Sequence, residues 1–355
     1  MSTFPDIVVD PYLVCLPREC DDATRLDQFV DNLLSWSDLL QRDDVNVHFP
    51  KSCLEALVEE GQYPYGQELK KMAARLGASH LSDDFVCRVA QAVLERTPTL
   101  EDRCSINVVI FDEETCRVEP EIYVNRLAAK IGWGFKHGLT VIACFGHARP
   151  DEGFLVASAT SPPEASFEGE EIKILARIEA VDCTDDTGNW AELLPVDVNQ
   201  SLPVAFSRES LFEHLGCLRL WGEADSPENA REAINTRVGQ LFAAGATNRG
   251  AARGFRFGDA FLQSARRHGF GARSDLATNL IDSCARILVD LPKQPVKSFR
   301  VSERSGEQLV RADGAAALRT HLTKAGAGFR LMYWEMLDGT IEFANVGTKF
   351  ELEIL

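Results

Sequence analysis

The sequence lacks several signatures that would declare an activity directly. It contains no C-x-x-C pair, no H-x-x-x-H or H-E-x-x-H spacing and no glycine-rich loop that ends in Gly-Lys. These absences exclude a zinc site formed by local sequence, a thioredoxin-like redox motif and a Walker-type phosphate loop. A hydrolase triad motif is missing as well. Function therefore has to be inferred from charge and from the arrangement of side chains.

Long apolar runs and a basic leader are also missing. No apolar run approaches the roughly 18 to 20 residues that span a bilayer, and the N-terminus has no basic stretch followed by an apolar one. The 10 cysteines are scattered, mostly inside apolar runs such as FVCRVAQAV and VIACFG, which is typical of buried reduced thiols. We expect a cytoplasmic protein with no membrane partner.

The apolar pattern predicts an α/β or α+β fold. A chain of 355 residues with 45% hydrophobic residues can form two or three domains with real cores. Strand-like and helix-like runs alternate at first, which predicts an acidic α/β domain over residues 1–120. A β-rich middle over 121–225 and a basic helical region over 226–355, closed by a terminal β-hairpin, are expected to follow.

Particular segments carry these predictions. LTVIACFGHA, GFLVASAT, EEIKILARIEAV and LPVDV are apolar runs bounded by turn residues, which predicts strands in the middle region. Asp313 followed by Gly-Ala-Ala-Ala-Leu-Arg predicts the start of a helix that continues through ALRTHLTK. Asp338-Gly339 predicts a two-residue turn between the last two strands.

Charge is distributed unevenly along the chain. The formal net charge is -17, yet residues 1–120 hold 11 Lys and Arg against 23 Asp and Glu, whereas residues 249–330 hold 15 against 7. Such asymmetry predicts a polyanionic or acidic partner for the basic end. The alternative is that the acidic and basic parts face each other within the fold or across a homodimer.

The basic end is rich in arginine with phenylalanine interleaved. Guanidinium groups bind phosphates, and phenylalanine rings can stack on unpaired bases, so this segment predicts a nucleic-acid surface. In the alternative, the phenylalanines are core anchors and the arginines pair with the acidic N-terminal half. The candidate phosphate-binding arginines are Arg253, Arg256, Arg266, Arg267 and Arg273, and the phenylalanines are Phe255, Phe257, Phe270 and Phe299.

Carboxylates near predicted strand ends suggest a second site. Asp10 follows the opening strand, Glu55 lies on the helix after the second strand, and Asp112 follows a third strand. Three such oxygens can hold Mg²⁺ or Mn²⁺ for phosphodiester cleavage, although a solvated acidic surface is the alternative. The order IVVD, helix, strand, then FPKSCLEALVEE resembles the PIN-type ribonucleases. That resemblance implies a metal-dependent nuclease over about the first 115 residues.

The C-terminal hairpin offers a third candidate. ALRTHLTK, GFRLMYW and IEFANVGTKFE resemble the C-terminal half of RelE/ParE-type toxins, in which an arginine on a central strand faces RNA and a second basic residue follows a Val-Gly turn. The resemblance implies these roles for Arg330 and Lys349. His321 and Arg319 lie in the same basic segment, where an imidazole beside guanidinium groups suits a general base in a site that needs no metal.

Together these patterns predict a nucleic-acid-associated bacterial protein, either a nuclease or a toxin-like component of an anti-phage defence system. The alternative is a non-catalytic subunit that binds single-stranded RNA or DNA, or an acidic protein partner, through its basic C-terminal region. A hetero-complex and a homo-oligomer both remain open.

Overall fold

The computed structural model describes residues 6–18, 21–40, 45–81, 84–150, 152–159, 171–183, 193–222, 227–271, 274–300, 306–323, 328–351 and 353–355. Contacts divide the chain into two compact units, unit 1 over residues 1–214 and unit 2 over 215–355. The mixture of helices and mixed sheets confirms the expected α/β or α+β class. The predicted domain boundary at residue 120 falls inside unit 1.

Unit 1 is organised around a mixed sheet. Its strands are β1 (Asp6–Val9), β2 (Val47–His48), β3 (Ile106–Phe111), β4 (Arg117–Glu119), β5 (Phe154–Ala157), β6 (Glu171–Cys183) and β7 (Val196–Ala205). In the described residues their order is β2-β1-β5-β7-β6-β3, with β4 also beside β6. The first four strands of this order are parallel, whereas β6 runs antiparallel to β7, β3 and β4. Strands from both sides of residue 120 therefore share one sheet.

Helices follow most of these strands. A buried β1, apolar on both faces, explains why its run IVV shows no alternation. The helices are α1 (Pro11–Val14), α2 (Ala23–Leu40), α3 (Lys51–Glu59), α4 (Gly66–Arg75), α5 (Asp84–Leu94), α6 (Leu100–Cys104), α7 (Ile122–Asn125), α8 (Ala129–Ala148) and α9 (Arg208–Leu215), with a 3₁₀ turn at Ser79–Leu81.

The prediction of a strand at LTVIACFGHA is wrong, because this segment forms the second half of α8. Nearly every residue from Ile131 to Phe145 is buried, so the helix shows no amphipathic period that a sequence could reveal. Two glycines one turn apart let α8 approach α3 closely. A Cβ at Gly134 would lie 2.5 Å from the carbonyl oxygen of Ser52, and one at Gly138 would lie 2.8 Å from Pro50 Cβ.

The substitution Gly134→Ala tests this close approach. Helix propensity alone favours alanine over glycine by about 0.5–1 kcal/mol. We nevertheless expect a net loss of about 1–3 kcal/mol in the free energy of unfolding, because the new methyl group meets rigid backbone. Urea unfolding measures the change.

Gly146→Ala in the same helix is the matched control. Its Cβ would meet only the flexible end of Gln200, at 3.0 Å, so we expect unchanged or slightly higher stability. Equal effects at the two positions would contradict the assignment of Gly134 as a contact glycine.

Unit 2 contains a second sheet packed with helices. Its strands are β8 (Phe255–Phe257), β9 (Lys297–Ser298), β10 (Ala316–His321), β11 (Arg330–Glu335) and β12 (Ile341–Gly347), and its helices are α10 (Cys217–Gly222), α11 (Pro227–Ala243), α12 (Phe261–Arg267) and α13 (Ser274–Leu288). The described strands lie in the order β8-β12-β11-β10-β9, with only the β8–β12 pair parallel.

Two predictions for unit 2 need correction. The segment after Asp313 is strand β10 and not a helix, since Gly314 turns the chain at φ +86° and all six residues of β10 then pair with β11. Here tertiary pairing overrides the helical preference of the alanines. The terminal hairpin is confirmed, but its turn has three residues between Met336 and Thr340, with Gly339 in the left-handed region at φ +84°.

Cysteine and membrane predictions can also be compared with the structure. The nine described cysteines are free thiols and seven of them are buried, which confirms that prediction. Burial raises the pKa of Cys15 and Cys87 to about 11. Within the described residues, no helix combines the length and the apolar character that crossing a membrane requires.

Candidate functional site

The structure does not bring the three predicted metal carboxylates together. Asp10 is buried at the end of β1, Glu55 is exposed on α3, and Asp112 follows β3. Three strands lie between β1 and β3, so these two strands are about 19 Å apart across the sheet at about 4.8 Å per strand. Across the described part of the chain, no group of three or more His, Cys, Asp or Glu side chains is placed to hold a metal ion.

Asp10 instead forms a buried ion pair with Arg126. Its Oδ2 also accepts a hydrogen bond from Ser158 Oγ at 2.7 Å, and its Oδ1 accepts one from the backbone N–H of Tyr12 at 2.8 Å. Arg126 further donates to the carbonyl oxygen of Ala159 at 2.8 Å and stacks over the Tyr12 ring at 4.2 Å. Both carboxylate oxygens are thus engaged by protein groups, which ties the ends of β1 and β5 together.

Sequence reasoning found Asp10 but missed its partners. Arg126 lies 116 residues away and Ser158 lies 148 residues away, so no local spacing could reveal them. The site lies between β1 and β5. The strand that follows β1 in the chain, β2, lies on one side of β1, and β5 lies on the other side. Open α/β sheets use such switch points for ligands, whereas here an internal ion pair occupies the position.

Removing Asp10 tests whether this ion pair is structural. Asp10→Ala would leave the buried charge of Arg126 uncompensated, and we expect the free energy of unfolding to fall by about 3–5 kcal/mol. The double variant Asp10→Ala with Arg126→Met should recover part of the loss, because it removes the stranded charge as well.

Glu59→Ala is the control for this prediction. Glu59 pairs with Lys130 in an ion pair that is more than half exposed, so its loss should leave urea unfolding unchanged. A stable Asp10→Ala variant would show that the pair with Arg126 contributes little.

A second buried polar cluster lies at the beginning of β1. Asp6 accepts hydrogen bonds from His48 at 3.1 Å, from Asn46 at 3.1 Å and from Arg103 at 2.8 Å. Burial alone would raise the pKa of this carboxyl, but the hydrogen bonds from His48 and Arg103 outweigh burial and hold it below its usual range. His48, a strand histidine in the sequence, is thus part of an internal network that joins β1, β2 and α6.

In unit 2, two of the five predicted phosphate-binding arginines are neutralised by carboxylates. Arg253 pairs with Asp290 at 2.7 Å and with Glu335, and Arg256 pairs with Glu342. The ion-pair alternative assigned these carboxylates to the acidic N-terminal half. In the structure they belong to unit 2 itself. Arg266 and Arg267 lie exposed in the last turn of α12, and Arg273 lies outside the described residues.

The interleaved phenylalanines form a core and are not an exposed stacking surface. Phe257 stacks on Phe261 with ring centroids 4.9 Å apart, and Phe255 and Phe257 both contact Phe343. Phe270 and Phe299 are buried. The alternative that assigned these rings to the core is therefore confirmed.

The structure does bring His321, Arg319 and Arg330 together. His321 on β10 is the direct cross-strand partner of Arg330 on β11, and Arg319 lies two residues earlier on the same face. Lys297 on β9 is opposite Arg319. Arg300, just beyond β9, lies near enough for its charge to act on Arg319. We call this group the cationic cluster: Lys297, Arg300, Arg319, His321 and Arg330.

The cationic cluster lies at the end of a small apolar core on the same face of the sheet. That core contains Phe299, Ala315, Ala317, Met332, Trp334 and Ala344. The Arg319 guanidinium lies over the Phe299 ring, 5.6 Å from its centroid. Burial against this core is the main cause that lowers the pKa of Arg319, and the positive charges of Arg330 and Arg300 lower it further. Partial burial and like charge both make this position costly for an unpaired cation.

No described carboxylate compensates this cost. Among the residues that the structure describes, Arg300, Arg319 and Arg330 form no ion pair, and the buried Nε of Arg330 has no hydrogen-bond partner. Within the described residues, the one acceptor of Arg330 is the carbonyl oxygen of Lys349, at 3.4 Å. Glu351, which follows β12, accepts a hydrogen bond from the backbone N–H of Thr348 at 2.5 Å, and its carboxylate lies 3.2 Å from His268 Nε2. Three guanidinium groups thus converge without a carboxylate from the described part of the chain.

An exposed aromatic ring adjoins the cluster. Phe350 follows Lys349, whose carbonyl oxygen accepts the hydrogen bond from Arg330. Phe350 is 77% exposed. The ammonium group of Lys349 lies 4.9 Å from the centroid of this ring. Sequence analysis identified Lys349 but not its neighbour, although the pair Lys-Phe after a Val-Gly turn was a visible signal.

Known proteins supply no further guide to this site. A comparison with protein families found no match, and neither did comparisons with curated proteins and with solved structures.

Proposed function

We propose that unit 2 binds single-stranded nucleic acid through the cationic cluster. The observation that supports this proposal is the convergence of Arg300, Arg319 and Arg330 without a described carboxylate, on a sheet whose other arginines are paired. Phosphate oxygens are the acceptors that match guanidinium geometry, and two or more cations along one face suit successive phosphates.

Phe350 supports a single-stranded polymer in particular. An exposed ring beside cations offers a stacking platform for an unpaired base, and this interaction tolerates any base sequence. The net charge of -17 disfavours polyanions over the surface as a whole, so binding has to be confined to a local positive region. The cationic cluster and Phe350 provide such a region.

The double variant Arg319→Ala with Arg330→Ala tests the proposal. Hydrogen bonds to charged groups contribute about 1.5–3 kcal/mol each, so we expect affinity for a short labelled RNA or DNA strand to fall at least about tenfold. The slope of log affinity against log salt concentration should decrease by about 0.7 for each lost phosphate contact. Fluorescence anisotropy measures both quantities, and Phe350→Ala should weaken binding at unchanged slope.

Arg256→Gln is the matched control. Arg256 belongs to the same sheet but is paired with Glu342, so its neutral variant should bind with nearly unchanged affinity and slope. An acidic protein as the true partner predicts that polyglutamate competes as well as the oligonucleotide and that Phe350→Ala has no effect. That result, or equal losses in Arg256→Gln and the double variant, would contradict the proposal.

A second candidate function is cleavage of RNA without a metal ion, which is favoured by the placement of His321 opposite Arg330. A neutral imidazole can take the proton of a ribose 2′-hydroxyl, whose oxygen then attacks the adjacent phosphorus and forms a 2′,3′-cyclic phosphate. The 5′-oxygen leaves as a hydroxyl group after it takes a proton from water. Guanidinium groups beside that phosphate would stabilise the negative charge that develops.

His321→Gln separates this candidate from binding alone. We expect the unaltered protein to cleave single-stranded RNA but not DNA in the presence of EDTA, and His321→Gln to lose cleavage while it retains affinity. Gel electrophoresis of the reaction products provides the measurement. RNA that stays intact with the unaltered protein would eliminate this candidate and leave the binding function.

A further inference from the structure

Unit 2 contains a cavity that the cationic cluster does not include. It has a volume of about 630 Å³ and is bounded by residues of α10, α11 and α13 and by the segment after α13. Volumes of about 300–1,000 Å³ are usual for sites of small organic ligands. The lining residues that matter here are Cys217, Leu218, Arg237, Asp282, Arg286 and Lys293.

Three cations of this cavity surround one carboxylate. Arg237 binds Asp282 Oδ1 through Nε at 3.0 Å and through a terminal nitrogen at 2.7 Å, while Arg286 Nε donates to Oδ2 at 2.9 Å. Lys293 Nζ is 4.0 Å from the same carboxylate. Asp282, with its side chain only 10% exposed, therefore fixes the positions of two guanidinium groups, and positive charge remains in excess around it.

The remaining donors are directed to no other described carboxylate. Arg286 uses only its Nε on Asp282, and Lys293 has no ion pair with any other residue that the structure describes. Asp275 is the second acid of the lining, so the charged lining residues comprise three cations and two anions. An anionic group bound by the terminal nitrogens of Arg286 and by Lys293 would complete this arrangement.

The same cavity also offers an apolar surface. Leu218 is 40% exposed, and Cys217 beside it is half-buried. Burial raises the pKa of the Cys217 thiol, so this side chain is neutral at physiological pH. A ligand that fits both surfaces carries an anionic group and a flat or apolar part.

We propose that this cavity binds a small phosphate-bearing ligand of the size of a nucleoside monophosphate. Arg286 and Lys293 hold the phosphate, Asp282 positions the guanidinium groups, and Leu218 covers the base or another apolar part. The site shares no residue with the cationic cluster. It therefore does not depend on the function proposed for that cluster.

Isothermal titration of the full chain with AMP, GMP, CMP and UMP tests this proposal. We expect saturable binding of at least one of them, with the matching nucleoside and inorganic phosphate each bound at least about tenfold more weakly. Lys293→Ala and Arg286→Gln should each reduce the affinity about tenfold. Lys297→Ala, an exposed lysine of the cationic cluster, is the control and should leave this affinity unchanged.

Three results would overturn the proposal: none of the four nucleotides binds, the nucleoside binds as well as the nucleotide, or Lys297→Ala reduces affinity as much as Lys293→Ala. Arg286→Gln also removes the hydrogen bond to Asp282, which could destabilise unit 2. In that case Lys293→Ala decides the matter, because Lys293 is half exposed and its Nζ lies 4.0 Å from Asp282.

Discussion

The pairing of arginine with carboxylate determines which positive charges of this protein are available to a ligand. A guanidinium group that loses part of its hydration needs an anion nearby, and each unit satisfies this need in a different way. In unit 1, Arg126 forms an ion pair with Asp10 in the interior. In unit 2, Arg253 pairs with Glu335 and Arg256 pairs with Glu342, both on the same sheet. A basic sequence therefore produces less free positive charge than its composition suggests.

In the cationic cluster, the described residues do not satisfy this need. Arg319 is partly buried beside Phe299, and the positive charges of Arg330 and Arg300 further disfavour its charged form. Perturbed charges of this kind cluster at functional sites, which is why we propose that an external anion completes the arrangement. The same reasoning separates the cluster from the Asp10 site, where both carboxylate oxygens are already bound and no further group is required.

Much of the fold could be predicted from local pattern, and the failures have identifiable physical causes. Alternation and turn residues predicted β6, β7, β11 and β12, because one face of each strand is less buried than the other or a turn fixes the ends. The second half of α8 could not be predicted, since uniform burial removes the helical period. For β10, pairing with β11 outweighed the helix propensity of its residues. A short stretch of sequence contains no information about such pairing.

The candidate site shows the same division between local and long-range information. Residue type and spacing were enough to nominate Arg319, His321 and Arg330 together. They could not tell these residues apart from Arg253 and Arg256, because the deciding carboxylates lie 82 and 86 residues further along the chain. The separation of Asp10 from Asp112 likewise depends on strand order, which only the assembled sheet specifies.

Photo-cross-linking identifies the residues of unit 2 that contact a bound single strand. A short RNA that carries 4-thiouridine is irradiated with the full chain, and the cross-linked peptides are identified by mass spectrometry. We expect adducts on Phe350 and its neighbours in the turn after β12, together with peptides that contain Arg319 or Arg330. Adducts confined to unit 1, or to the paired arginines Arg253 and Arg256, would contradict this expectation.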